Sequence, residues 1–167
     1  APAKLAADKL GQLRELFFDL VEHLEELIRQ QGETRDQTSA VSGQDDPTRD
    51  GKLPGITSRE DQHLAMAQAI TDALAKQADA AGKAHGAAAP GQPSPQEQAK
   101  TLSAAADEVR QAQTAMTDAK GALVKPQTAT HQSWSLKPAV TAEGKALDHL
   151  EAALRILQPP PKQNQNQ

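Results

Sequence analysis

Cysteine and tyrosine are absent from this 167-residue chain, and its only aromatic residues are Phe17, Phe18 and Trp134. The lack of cysteine excludes disulfides, thiolate metal sites and cysteine nucleophiles. No run of 18 apolar residues occurs, so we expect no direct membrane insertion by this segment. Because large side chains are few, we expect closely packed helices over a thin core built mostly of alanine.

The sequence motifs of common enzymes and nucleotide-binding proteins are also missing. The chain contains no Gly-x-Ser-x-Gly elbow, no Gly-x-Gly-x-x-Gly turn and no phosphate-binding loop. It has a net charge of −4 and no basic stripe with interleaved aromatics, which argues against nucleic-acid binding. We therefore predict a protein that is not an enzyme and binds no cofactor and no nucleic acid.

Apolar side chains recur along the chain at alternating steps of three and four residues. The first series consists of Leu10, Leu13, Phe17, Leu20, Leu24 and Leu27. The same step continues from Leu102 to Leu123 and from Val140 to Leu157. This spacing lines one face of an α-helix and requires partner helices to cover it. It predicts an all-α fold, an antiparallel four-helix bundle with a long first helix and extended loops.

The predicted domain covers residues 1–158, followed by a disordered Pro/Gln/Asn tail at 159–167. Its helices are predicted at about 3–39, 58–85, 95–124 and 138–157. The third begins at Ser94-Pro95, a capping residue followed by a proline that the first turn accepts. The chain starts at Ala1 without a methionine, which we interpret as a processed or excised chain.

A long loop is predicted between the first two helices, over residues 41–57. Three turn signals fall in it, Asp46-Pro47, Asp50-Gly51 and Pro54-Gly55. Ser58 or Thr57 would then cap the second helix.

The second half of the first helix keeps a helical composition but loses its apolar seam. Gln31, Thr34 and Thr38 stand at the seam positions. Either the helix extends beyond its partners there, or these residues face a polar layer, and we predict the first. The candidate partner-binding residues are Phe18, Gln31, Thr34, Arg35, Thr38 and Trp134. Trp134 either closes the end of the bundle or is displayed to a partner.

Two histidine clusters are candidate metal sites. His23 and His149 each lie among carboxylates, and a ligand- or metal-binding bundle using this region is the alternative function. Glu60 and His63 have the Glu-x-x-His spacing of di-iron bundles. A second such pair is absent, so we predict no metal, and Glu60 and His63 in an exposed first turn.

Three stretches of the chain resemble one protein family. They are His23-Leu24-Glu25-Glu26-Leu27 with Gln30, Gln31 and Arg35 to Thr38, then Val109 to Leu123 with Ala112, Met116 and Ala119, and Lys145 to Leu157. The family comprises uncharacterised alanine- and glutamine-rich helical proteins of the bacterial envelope, encoded near MoxR-type ATPases and von Willebrand A-domain proteins. The 41–56 loop and the Trp134 loop depart from its pattern.

The resemblance implies a scaffold working in a periplasmic or envelope-associated complex, with cytoplasmic location as the alternative. From this we predict a non-enzymatic helical scaffold or protein-interaction module. It would engage protein partners, or self-associate, through the first helix.

Overall fold

The computed structural model of the chain describes residues 2–84, 86, 88, 90–124 and 135–158, without the side chains of residues 2, 3, 5–11, 13, 14 and 46. These residues form four helices, α1 (Pro2–Ser42), α2 (Asp46–Lys83), α3 (Pro95–Val124) and α4 (Lys137–Leu157), and no strand. Each helix packs against the next, and α1 also packs against α4. The predicted all-α four-helix bundle is confirmed. Trp134 and the tail at 159–167 lie outside the described residues.

The predicted loop at 41–57 is wrong, because α2 begins at Asp46 and only residues 43–45 connect it to α1. Asp46-Pro47 starts the helix, where a proline loses no hydrogen bond. Pro54 lies inside α2, and Gly51, Pro54 and Gly55 all face solvent. Ser58 is therefore an interior helical residue and not a cap.

Burial explains why this Gly- and Pro-containing segment is helical. Leu53 and Ile56 are buried against Val41, Leu123 and Leu136. Covering two large aliphatic side chains stabilises the segment by several kcal/mol, roughly 1.5–3 for each. The helix penalty of the two glycines and one proline, about 1 kcal/mol per glycine and 3 for the proline, is of similar size. Tertiary packing therefore decides the local structure here.

The capping of α3 agrees with the sequence. The Ser94 hydroxyl accepts a hydrogen bond from the Glu97 amide at 3.2 Å, and the Glu97 carboxylate accepts one from the Ser94 amide at 2.7 Å. Two amides that the helix leaves without partners are satisfied in this way. The predicted bounds of α3 are confirmed, and those of α4 differ by one residue.

The core is divided along the bundle into two apolar clusters. The larger one includes Leu24 and Leu27 of α1, Leu74 of α2 and Leu150 of α4. The smaller one, around Leu53, lies at the end where α1 turns into α2. Between them, all three of α1, α2 and α4 present buried polar side chains.

The first helix extends past α4, although not at the end that we predicted. Thr38 is hydrogen-bonded to Glu143, so α4, which ends at Leu157, stops about level with Leu24. The N-terminal half of α1 therefore has no α4 beside it. Leu16 and Phe18 in this half are 52% and 60% exposed. None of the described helices combines the length and apolar character needed to cross a membrane.

The replacement Leu53→Ala tests whether residues 46–57 are packed helix. We expect it to lower the free energy of unfolding by about 2–5 kcal/mol, because it leaves a cavity in the smaller cluster. Urea titration followed by circular dichroism measures this. Leu16→Ala removes the same atoms from an exposed site and should cost less than about 0.5 kcal/mol. Equal effects of the two replacements would contradict the described fold.

Candidate functional site

A buried polar layer separates the two apolar clusters. It consists of Gln31, Thr34 and Thr38 from α1, Glu60 and His63 from α2, and Glu143 from α4. Each has less than a twentieth of its surface exposed. On α3 the buried residue between Met116 and Leu123 is Ala119, whose small side chain leaves room for longer polar ones.

Hydrogen bonds across the layer join α1 to both of its neighbours. The Gln31 amide donates to Glu60 Oε1 at 2.9 Å, and Thr34 Oγ1 lies 2.9 Å from His63 Nε2. The Thr38 hydroxyl contacts Glu143 Oε1 at 2.7 Å and the Thr34 carbonyl at 3.0 Å. These contacts fix the register of α1, because a slip by one residue would separate every pair.

Two of the predictions made for these residues are wrong. Gln31, Thr34 and Thr38 do not project beyond the partner helices, because α2 and α4 cover them. They are therefore not an exposed partner-binding surface. Glu60 and His63 do not lie in an exposed first turn, since α2 begins at Asp46 and buries both.

Burial controls the ionisation of the two glutamates. Loss of hydration raises the pKa of Glu60, and the hydrogen bond from Gln31 only partly opposes this. Burial also raises the pKa of Glu143, with a further contribution from the negative charge of Glu60. Arg35 of α1 lowers the pKa of Glu143, and Asp61 of α2 raises that of Glu60. The low-dielectric layer therefore favours protonated carboxyls.

His63 responds in the opposite direction. Burial lowers its pKa, and the positive charge of Arg59 lowers it further. Neutral His63 is therefore the form that fits the layer. Its Nδ1 makes no hydrogen bond to a described residue. The carboxyl groups of Glu60 and Glu143 are hydrogen-bonded to each other, which requires a proton on one of them. A charge on any of these groups would lack a full set of partners inside the bundle.

The other predicted site residues are not part of this layer. Arg35 lies at its edge, close enough to lower the pKa of Glu143, and is partly exposed, pairing with the neighbouring Asp36 at 3.2 Å. His149 Nδ1 lies 2.7 Å from Glu108 Oε2, so its described hydrogen bond joins α4 to α3 and not to His23 of α1. Within the described ranges, no three His, Asp or Glu side chains are placed to hold a metal ion.

The fold and the layer together define a four-helix bundle whose core is crossed by a buried polar network. Comparisons of the chain with protein-family models, curated proteins and solved structures found no match. The resemblance to envelope proteins therefore stays a prediction.

The raised pKa values predict that the bundle loses stability as pH rises. The folded chain keeps protons that the unfolded chain releases above its ordinary glutamate pKa of 4.5. The free energy of unfolding should therefore fall by several kcal/mol between about pH 5 and pH 9, and the lowered pKa of His63 opposes this fall only below about pH 6.5. Urea titrations at several pH values measure this dependence.

Glu143→Gln should flatten that dependence, because the amide keeps an acceptor for Thr38 and cannot ionise. Glu151→Gln removes an ionisable carboxyl group from the exposed side of α4. This variant should keep the wild-type dependence of stability on pH. A Glu143→Gln chain that still loses stability as steeply as the wild type would contradict the assignment.

Thr38→Val tests the hydrogen bonds of the layer. It removes the hydroxyl that contacts Glu143, so we expect a loss of about 1–3 kcal/mol in the free energy of unfolding at neutral pH. Thr117→Val is the matched control, since Thr117 makes the same bond to a carbonyl four residues earlier but is exposed on α3. Its cost should stay below about 0.5 kcal/mol. Similar losses from both replacements would mean that the hydrogen bonds of the layer stabilise the fold no more than an exposed hydroxyl does.

Proposed function

We propose that the protein is a non-enzymatic helical scaffold, an interaction module that engages a protein through the N-terminal half of α1. The observation that carries this proposal is the 60% exposure of Phe18 on the section of α1 that extends past α4. A large aromatic side chain at a surface is a typical centre of a protein interface.

The surroundings of Phe18 support this proposal. Phe17 is partly buried against the core, and its ring meets that of Phe18 edge to face, with centroids 6.4 Å apart. This contact limits the freedom of the Phe18 ring before binding, which lowers the entropy lost on association.

Three carboxylates lie on the same face of the helix as Phe18. Glu15, Glu22 and Glu25 lie three, four and seven residues away, and therefore on the same face. All three are exposed, and none forms an ion pair in the described part of the chain. An apolar centre beside three exposed carboxylates fits a partner with an apolar depression and basic groups.

The polar layer supplies the rigid base of this module. It fixes α1 against α2 and α4 about four turns away from Phe18, so that α1 has one defined position relative to the body. The proposed setting in a bacterial envelope complex is supported by the resemblance described above.

Photo-crosslinking tests the proposed use of α1. A photoreactive residue at position 18 should link the protein to a partner chain in its host cells. The same residue at position 111, which is exposed on α3, should give few or no products. Equal yields from the two positions would contradict the proposal.

Fractionation of the same cells tests the proposed location in the envelope. Recovery of the protein with the cytoplasmic fraction would contradict it.

A further inference from the structure

The carboxyl groups of Glu60 and Glu143 form one pair inside the polar layer. Oε1 of Glu60 accepts a hydrogen bond from Gln31, and Oε1 of Glu143 accepts one from Thr38. Both of these donors belong to α1. The remaining oxygen of each glutamate, Oε2, is buried and has no donor from any other described residue. Because the two carboxyls are hydrogen-bonded to each other, a proton between them joins α2 to α4.

No buried positive charge accompanies this pair among the described residues. The charged and titratable groups beside it are Arg35 of α1, Arg59, Asp61 and His63 of α2, Lys120 of α3, and Lys145, which follows Glu143 by two residues on α4. All four of the cations are at least partly exposed, and Lys120 is paired with Asp61. His63 is neutral above pH 6.5, because burial lowers its pKa below that ordinary value. None of these groups replaces the proton when the pH rises.

Loss of the proton acts on the contact between α2 and α4 and leaves the bonds to α1 in place. A carboxylate accepts hydrogen bonds more strongly than a carboxylic acid does, so Gln31 and Thr38 keep their partners. Two adjacent carboxylates in a layer without water repel each other and lack hydration. One of the two glutamates therefore has to reach water, and its helix has to move.

The start of α4 is the part of the bundle that releases its glutamate most easily. Glu143 lies in the second turn of α4, whereas Glu60 lies about four turns from the nearer end of α2. Leu136, the N-cap residue of α4, provides no side-chain hydrogen bond to the first turn. Lys137 adds a positive charge at the positive end of the helix dipole.

Few buried side chains hold this segment against the bundle. Leu136 and Ala139 belong to the smaller apolar cluster, where they pack with members from the other three helices. Ala142 is the only other buried side chain before Glu143. One large apolar side chain, two alanines and the carboxyl pair therefore hold residues 136–143.

We propose that the carboxyl pair is a proton-dependent latch, which closes residues 136–143 of α4 onto the bundle and releases them when the pH rises. The rest of α4 and the other three helices stay packed, and the opening uncovers the smaller apolar cluster.

The direction of the latch follows from the burial of the pair. Burial raises the pKa of Glu143 in the closed form, whereas a hydrated Glu143 in the open form loses its proton at its ordinary pKa. The closed form therefore binds more protons than the open form, and a rising pH favours opening.

Thiol labelling of the full chain measures this opening, because the chain has no cysteine of its own. Ala139→Cys places a thiol in the segment that opens. Ala153→Cys, in a second variant, places one at an equally buried position near the other end of α4. The ratio of the two labelling rates cancels the ionisation of the thiol itself.

From about pH 6.5 to about pH 9.5, the labelling of Ala139→Cys relative to Ala153→Cys should rise more than about tenfold. A constant ratio would overturn the latch, because both thiols would then become exposed in the same unfolding event.

Replacing either glutamate by glutamine removes the need for the proton. In Glu143→Gln the amide donates to Glu60 at every pH, and in Glu60→Gln the amide donates to Glu143. Each replacement should keep the labelling ratio constant over the same pH range, so either one serves if the other fails to fold. Glu151→Gln, on the exposed side of α4, should show the wild-type rise. A glutamine variant that is folded by circular dichroism and still opens with rising pH would overturn the assignment.

Hydrogen-exchange mass spectrometry of the unmodified chain identifies the helix that moves. After correction for intrinsic exchange rates, peptides that cover residues 137–146 should lose protection between the two pH values, and those that cover 150–157 should keep it. Loss of protection around Gln31 and Thr38 instead would overturn the identification of α4. Loss across all four helices at once would overturn local opening.

Discussion

The hydrogen bonds of the buried polar layer are the constraint on which the arrangement of α1 depends. Polar groups removed from water must find partners inside the protein, and an orphaned one costs on the order of 1–3 kcal/mol. Gln31 and Thr34 find theirs on α2, and Thr38 finds its partner on α4. Apolar packing alone tolerates sliding between alanine-rich helices, whereas these directed contacts allow one register. We infer that the layer lowers the stability of the bundle somewhat relative to an apolar core, and in return fixes α1 in a single register.

That register determines what the rest of α1 does. With Thr38 held at Glu143, the short α4 ends about level with Leu24, and the half of α1 that contains Phe18 is left partly uncovered. The same register brings Val41 of α1 against Ile56 of α2 at the other end of the bundle. The exposed aromatic is thus a consequence of the alignment of α1, and it is the surface through which we propose that the bundle binds a partner.

The sequence held a signal for the part of the fold that was predicted incorrectly. Leu53, Ile56, Glu60, His63 and Ala67 repeat the three-four step without a break, and every one of them is buried. Reading only the apolar positions hides this seam, because two of its five members are polar. The glycines and the proline of the same segment favour a turn locally, yet all three face solvent. If polar residues are counted at the seam positions, the three-four step predicts both the helix from residue 53 onward and the buried polar layer.

The local signals determined the number of helices, the heptad face of α1 and the start of α3, since periodicity and capping act within a few residues. Only the tertiary structure decided whether Gln31, Thr34 and Thr38 are free or buried, because that depends on how far α2 and α4 reach along α1. It also placed Glu60 and Glu143, far apart in the chain, in one layer where each affects the ionisation of the other. Burial and charge coupling arise between helices, so no single stretch of sequence contains them.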